Sequence, residues 1–264
     1  MTKTDLLIYS LLSLFLLIYT SVQAQNDTIQ QNSVLWSKVE AFTPTIVKLP
    51  DNYNSTKEHT LIIGLHGYSG TAEGQLRWLS KPFIEAGFIY ATTQAPYPVL
   101  HENGKLAYEW FLYDISSPIM LERPASDLEK KAMRTSTENQ MGQVIDDLKD
   151  KYSVNKIYVA GFSQGGIITY LTGIHHHDKI DGIIIFSSVV DKDWLGNDNI
   201  EDGKGVRTLI IQGEHDKLVP IELAENGRDL LIKNGYDVTY KKFNGEHTIP
   251  MHLMDFVIDW IKKE

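Results

Sequence analysis

The stretch Val159-Ala160-Gly161-Phe162-Ser163-Gln164-Gly165-Gly166-Ile167 (VAGFSQGGI) decides how this chain is read. A run of strand formers ends in one serine held between two glycines, and helix formers follow directly. The pattern G-x-S-x-G in a strand–turn–helix setting forces the middle residue into a strained backbone conformation. The residues two before and two after it must then be almost without side chains, a need that Gly161 and Gly165 meet. The helix that starts at Gln164 aims free N–H groups at the same spot. Such a turn suits a nucleophile that must stand out into open space. A glycine-rich turn with no chemistry is the bland competitor.

Outward from this turn, strands and helices alternate. Strands are expected at Thr60–Leu65, Phe88–Thr93, Lys156–Ala160, Gly182–Ser187, Arg207–Gln212 and Val238–Phe243. Helices are expected at Gln75–Ala86, over 126–151, and at Gln164–Ile174, Ile221–Lys233 and Met251–Lys263. In the second of these, Met141, Val144, Ile145 and Leu148 are spaced for one buried face. The strands are continuous apolar runs, such as GIIIFS at 182–187, and such runs fit strands covered on both faces. The fold class is therefore α/β, with a mostly parallel central sheet flanked by helices on both faces. One or two edge strands are expected within Val34–Leu49.

A serine hydroxyl is a weak nucleophile without a base, and the base needs an orienting acid. In this kind of fold the chain order is serine, acid, histidine. Asp216, in the loop Gly213-Glu214-His215-Asp216 after the strand at 207–212, is the leading acid. Asp191 and Glu214 compete with it, and a helix cap or turn is the structural alternative for Asp216. His247, in Gly245-Glu246-His247-Thr248 after the last strand, is the leading base; His252 and His215 compete. The developing oxyanion needs two N–H donors. One is the backbone of Gln164, directly after the serine, and the other is assigned to Tyr68 in Leu65-His66-Gly67-Tyr68-Ser69-Gly70. His66 is read as a residue that holds this loop by a side-chain hydrogen bond.

The motifs LHGYSG, GFSQGG, GEHDKLVP and GEHTIP, in that order, resemble the phospholipase/carboxylesterase family of α/β-hydrolases, over about residues 58–263. The resemblance implies an α/β-hydrolase fold, with Ser163, Asp216 and His247 as the triad and Tyr68 and Gln164 as the oxyanion hole. Trp110-Phe111 resembles the family's Trp-Phe segment near the acyl pocket, which implies substrate-binding roles for both residues. No cofactor and no metal are called for. The long stretch Val99–Pro124 is rich in aromatic residues, as a substrate-lining loop or lid would be; ordinary cover for the sheet edge is the equal alternative.

Composition bounds the rest. The chain has 264 residues, 42% hydrophobic and 22% charged, an ordinary globular balance. A net charge of -9 argues against nucleic acid and anionic membranes as partners. Leu6–Tyr19 is an apolar run, shorter than the roughly 20 residues that span a bilayer. Val22-Gln23-Ala24 then fits a signal-peptidase site. Residues 1–24 are expected to be a signal peptide and 25–264 one domain, in a secreted or periplasmic protein without stable membrane insertion. The chain has no cysteine and so no disulfide. His175-His176-His177-Asp178 sits near a helix end, where adjacent histidines do not converge as metal ligands do. Asp127-Leu128-Glu129-Lys130-Lys131 reads as a solvated helix face. The expected function is hydrolysis of a small-molecule, glycan or lipid ester. A peptidase or amidase of the same fold, and a binding protein on a hydrolase scaffold, are the alternatives.

Overall fold

In the computed structural model the residues described are 42–100, 104–111, 127–190 and 200–263. They lie within one compact unit, Ala41–Glu264. The expected signal peptide, Asp191, and most of the stretch 99–124 fall outside the described residues.

Among the described residues seven strands form the central sheet. They are β1 (Thr45–Lys48), β2 (His59–Leu65), β3 (Ile89–Thr93), β6 (Val154–Phe162), β7 (Gly182–Phe186), β8 (Arg207–Gly213) and β9 (Val238–Phe243). Their order is β1-β3-β2-β6-β7-β8-β9. Among the described strands of this sheet only β1 runs antiparallel, against β3, so the expected mostly parallel sheet is present, with one edge strand of the expected segment described. The short strands β4 (Tyr97–Leu100) and β5 (Leu106–Glu109) pair with each other as a separate hairpin. This hairpin lies partly in the stretch that the sequence presents as a long loop. Tyr108 donates its backbone N–H to Gly70, which ties the hairpin to the loop after β2.

Among the described residues five helices cover the sheet: α1 (Ala72–Glu85), α2 (Asp127–Lys151), α3 (Gln164–His175), α4 (Ile221–Lys233) and α5 (Met254–Lys262). Helix α1 begins three residues earlier than the apolar spacing suggests, because Thr71 caps it by accepting from the Gly74 N–H. The expected closing helix is divided: a 3-10 turn at Met251–Leu253 precedes α5.

Alternation along each strand feeds two cores, one per face. Leu61, Ile63, Val159, Ile183 and Ile185 pack with Met141, Ile145, Ile168 and Leu171 from α2 and α3. Ile62, Tyr158, Ile184, Phe186 and Leu209 pack with Leu79 and Phe83 of α1 and Val257 and Trp260 of α5. Burial on both faces explains why these strands read as unbroken apolar runs.

The chain leaves β2 toward β3 on one side, whereas β6 lies on the other side of β2. The connections therefore diverge between β2 and β6, the kind of point where open α/β sheets place their sites, at the carboxyl ends of the strands. Loops 66–70 and 163–164 leave the sheet there.

Arg207, at the start of β8, docks the last helix. Its guanidinium donates to the Trp260 carbonyl at 2.7 Å and to the Tyr158 hydroxyl at 3.0 Å, and lies 4.4 Å from the Trp260 ring centroid. Charge-assisted bonds of this kind contribute about 1.5–3 kcal/mol. Arg207→Met is expected to lower unfolding free energy by about 2 kcal/mol, measured by urea denaturation against the wild type.

Candidate active site

Strand β6 ends at Phe162 and α3 starts at Gln164, which leaves Ser163 alone in the turn. Its backbone stands at φ 53 and ψ -120, a sparsely populated conformation for a residue with a side chain. Such strain costs on the order of 1–3 kcal/mol and persists only where packing over-determines it. The packing is visible at the two glycines. A Cβ on Gly165 would lie 2.5 Å from the carbonyl oxygens of Leu65 and His66. A Cβ on Gly161 would collide with Thr169 Oγ1 and the Gly165 carbonyl. The turn thus needs bare glycines on both sides, as its sequence suggests.

The loop after β2 closes on the same turn. A Cβ on Gly67 would come within 3.3 Å of the Ser163 Cβ and 3.1 Å of the Phe162 ring. His66 is buried and organises this loop. Its Nε2 accepts from the Ala95 backbone N–H at 3.1 Å and from the Gln94 side-chain amide at 3.0 Å. That assignment puts the proton on Nδ1, which donates to the Gly67 carbonyl at 2.8 Å. Burial pushes the His66 pKa down to about 4; the Gly67 carbonyl and the Glu73 charge oppose this only in part. Tyr68 itself is exposed, and Gln164 is buried.

The loops after β8 and β9 lie on one another. Gly213 passes so close to the Gly245 and Glu246 carbonyls that a Cβ would come within 2.6 Å of both. His215 donates its backbone N–H to the Gly245 carbonyl at 2.9 Å. This contact brings His247 Nδ1 to 2.8 Å from Asp216 Oδ2. The Asp216 carboxylate is wholly buried and has further donors: Gln212 Nε2 on Oδ2 at 3.1 Å, and the Leu218 and Val219 N–H groups on Oδ1 at 2.9 and 2.8 Å. Asp216 is therefore a turn residue and the partner of His247 at once. Glu214 and His215 are exposed, and so is His252, whose ring lies against Phe243.

The two halves of the site meet through β7. The His247 ring lies 4.8 Å from the Phe162 ring, next to Ser163. Ser187 and Ser188 follow β7; Ser187 Oγ donates to the Thr248 carbonyl at 3.2 Å and Ser188 Oγ to the Ser163 carbonyl at 2.6 Å. The structure thus gathers Ser163, Gly67, Asp216 and His247 at one rim of the sheet.

Trp110 and Phe111 directly follow β5. Both are buried within the core, and the Trp110 indole N–H donates to the His66 carbonyl at 2.8 Å. The three adjacent histidines have partners of their own, two of them on Glu138. His175 lies 3.5 Å from a Glu138 carboxylate oxygen, His176 bonds the Glu138 carbonyl and His177 the Ile174 carbonyl.

A profile of the phospholipase/carboxylesterase family matches residues 52–264. The chain belongs to that family. A probable carboxylesterase SOBER1-like of Arabidopsis thaliana is 25% identical over 210 residues, covering 77% of this chain and 78% of the relative. An acyl-protein thioesterase 1 of Gibberella zeae is 30% identical over 113 residues, 41% of this chain and 48% of the relative. Among solved structures, esterase PE8 superposes with a TM-score of 0.67 at 21% identity, over 84% of this chain and 99% of that one. The Bacillus cereus carboxylesterase gives 0.61 at 16% identity, over 83% and 93%. These two likenesses bear on the α/β-hydrolase fold, and the family membership makes the chain a serine hydrolase.

The shift at His66 has a consequence for stability. Its folded pKa lies below its ordinary 6.5, so between these values the unfolded chain binds the additional proton. Stability from His66 is complete above pH 6.5 and is lost as pH falls toward 4, by about 3 kcal/mol at most. Urea unfolding of the wild type and His66→Gln across pH 4–8 should show a difference that is flat above pH 7 and shrinks below it.

Proposed function

We propose that this chain is an exported carboxylic ester hydrolase that works through Ser163, His247 and Asp216. The observation that carries this reading is the 2.8 Å contact between His247 Nδ1 and the buried Asp216 carboxylate, on the rim where Ser163 stands in its strained turn. Asp216 fixes the imidazole so that Nε2 is the nitrogen free to take a proton.

His247 Nε2 removes the Ser163 hydroxyl proton as Oγ attacks the ester carbonyl carbon. The carbonyl π pair moves onto oxygen, and the backbone N–H groups of Tyr68 and Gln164 bind that oxyanion. Gln164 opens α3, and the first N–H groups of a helix lack intrahelical partners. As the intermediate collapses, the alkoxide leaves with the proton from His247. Water, deprotonated by the same nitrogen, then attacks the acyl-enzyme and restores Ser163. The family supports a small-molecule ester as substrate. Export rests on the apolar run Leu6–Tyr19 followed by Val22-Gln23-Ala24.

Ser163→Ala should abolish hydrolysis of p-nitrophenyl butyrate and labelling by a fluorophosphonate. Asp216→Asn should lower kcat by about 10⁴-fold through the wrong imidazole tautomer, with the fold intact by circular dichroism. Full hydrolysis by Ser163→Ala would sink the assignment.

A further inference from the structure

The two proposed oxyanion donors belong to different loops. Tyr68 follows β2 and Gln164 follows β6, so something must fix the gap between their N–H groups. Trp110, at the end of the β4–β5 hairpin, grips both sides. Its backbone N–H donates to Gln164 Oε1 at 2.8 Å. Its indole N–H donates to the His66 carbonyl at 2.8 Å. The other end of the Gln164 amide donates to the Phe111 carbonyl at 3.2 Å, so the side chain is held at both its polar atoms. Thr137 Oγ1, from α2, donates to the Trp110 carbonyl at 3.2 Å. Trp110 has no exposed surface, and its ring lies 5.4 Å from that of His66.

We infer that Trp110 is a positioning residue that sets the separation of the oxyanion-binding N–H groups of Tyr68 and Gln164, through its two N–H bonds. The inference rests on the function proposed above. On one side the strut holds the residue whose own backbone N–H is a donor. On the other it holds the His66 carbonyl, two residues before Tyr68. His66 Nδ1–H and the Gly70 N–H in turn fix the Gly67 carbonyl, at 2.8 and 3.1 Å. In a trans peptide the Tyr68 N–H points opposite to that carbonyl, so its direction is set as well. Donors of this kind act over 2.7–3.1 Å, and displacement by about 1 Å costs on the order of 10²-fold in rate. A side chain with this role differs from the acyl-pocket wall that the family resemblance implies for Trp110.

The test uses the full chain and compares the wild type, Ser163→Ala, Trp110→Phe, Gln164→Met and the double variant Trp110→Phe with Gln164→Met. Trp110→Phe keeps an aromatic ring and removes the indole N–H; Gln164→Met keeps the helix start and the backbone N–H. Rates with p-nitrophenyl butyrate are normalised to sites labelled to completion by a fluorophosphonate. Affinity for an aryl trifluoromethyl ketone is measured in parallel. Ser163 Oγ adds to that ketone, its proton passes to His247, and the carbonyl oxygen becomes an oxyanion in the hole. For both variants kcat is expected to fall about 10-fold or more, with KM within about two-fold. Ketone affinity should weaken by the same factor as kcat/KM, and the double variant should lose less than the product of the single losses.

Unchanged kcat in Trp110→Phe overturns the proposal. So does a rise in KM with ketone affinity intact, which would restore Trp110 as a substrate wall. If Trp110→Phe does not fold, Gln164→Met carries the same readouts. If neither variant keeps a folded population that labels, the network is a folding element and the proposal fails. Activity persisting in Ser163→Ala would strike the underlying function instead, so the two failures are distinct.

Discussion

The close approach of β2, β6 and the start of α3 is the constraint from which the rest follows. Gly165 sits against the Leu65 and His66 carbonyls with no room for a side chain. That contact lets α3 begin directly over the sheet, and it holds Ser163 at a positive φ. The stored strain is small beside the apolar burial around it, where Leu65, Val159, Ile168 and Ile185 pack within one core. A strained residue survives here because several well-packed elements would have to move to relax it.

Much of this was readable from the residues. Strands buried on both faces announce themselves as continuous apolar runs, and β2, β6, β7 and β8 all do so. The glycines at 161 and 165 could be read because their need is steric and local. Loops after β6, β8 and β9 stand in the order that the sequence suggests, and the sheet pairs Asp216, not Glu214, with His247, not His215.

Other features depend on partners far apart in the chain, and no local pattern records them. Gln94 and Ala95 hold His66 from 28 and 29 residues away, and Thr137 holds Trp110 from 27. The β4–β5 hairpin is short and carries Pro98, so its segments lack the run of strand formers that marks the other strands. Burial of Trp110 arises from three separate elements converging on one ring and its backbone. His252 looked helical by spacing, but a 3-10 turn intervenes there and leaves it exposed.

Strand β7 supplies neither nucleophile, base nor acid in the proposed reaction, yet Ser187 and Ser188 reach to Thr248 on one side and to the Ser163 carbonyl on the other. It behaves as a gauge block set between the two loops. The gap between serine and imidazole is thereby referred to a buried strand and not to the loops that meet the solvent. Those loops are free to change length or chemistry, and so to suit a different acyl or alcohol group, without resetting the reach of the proton transfer.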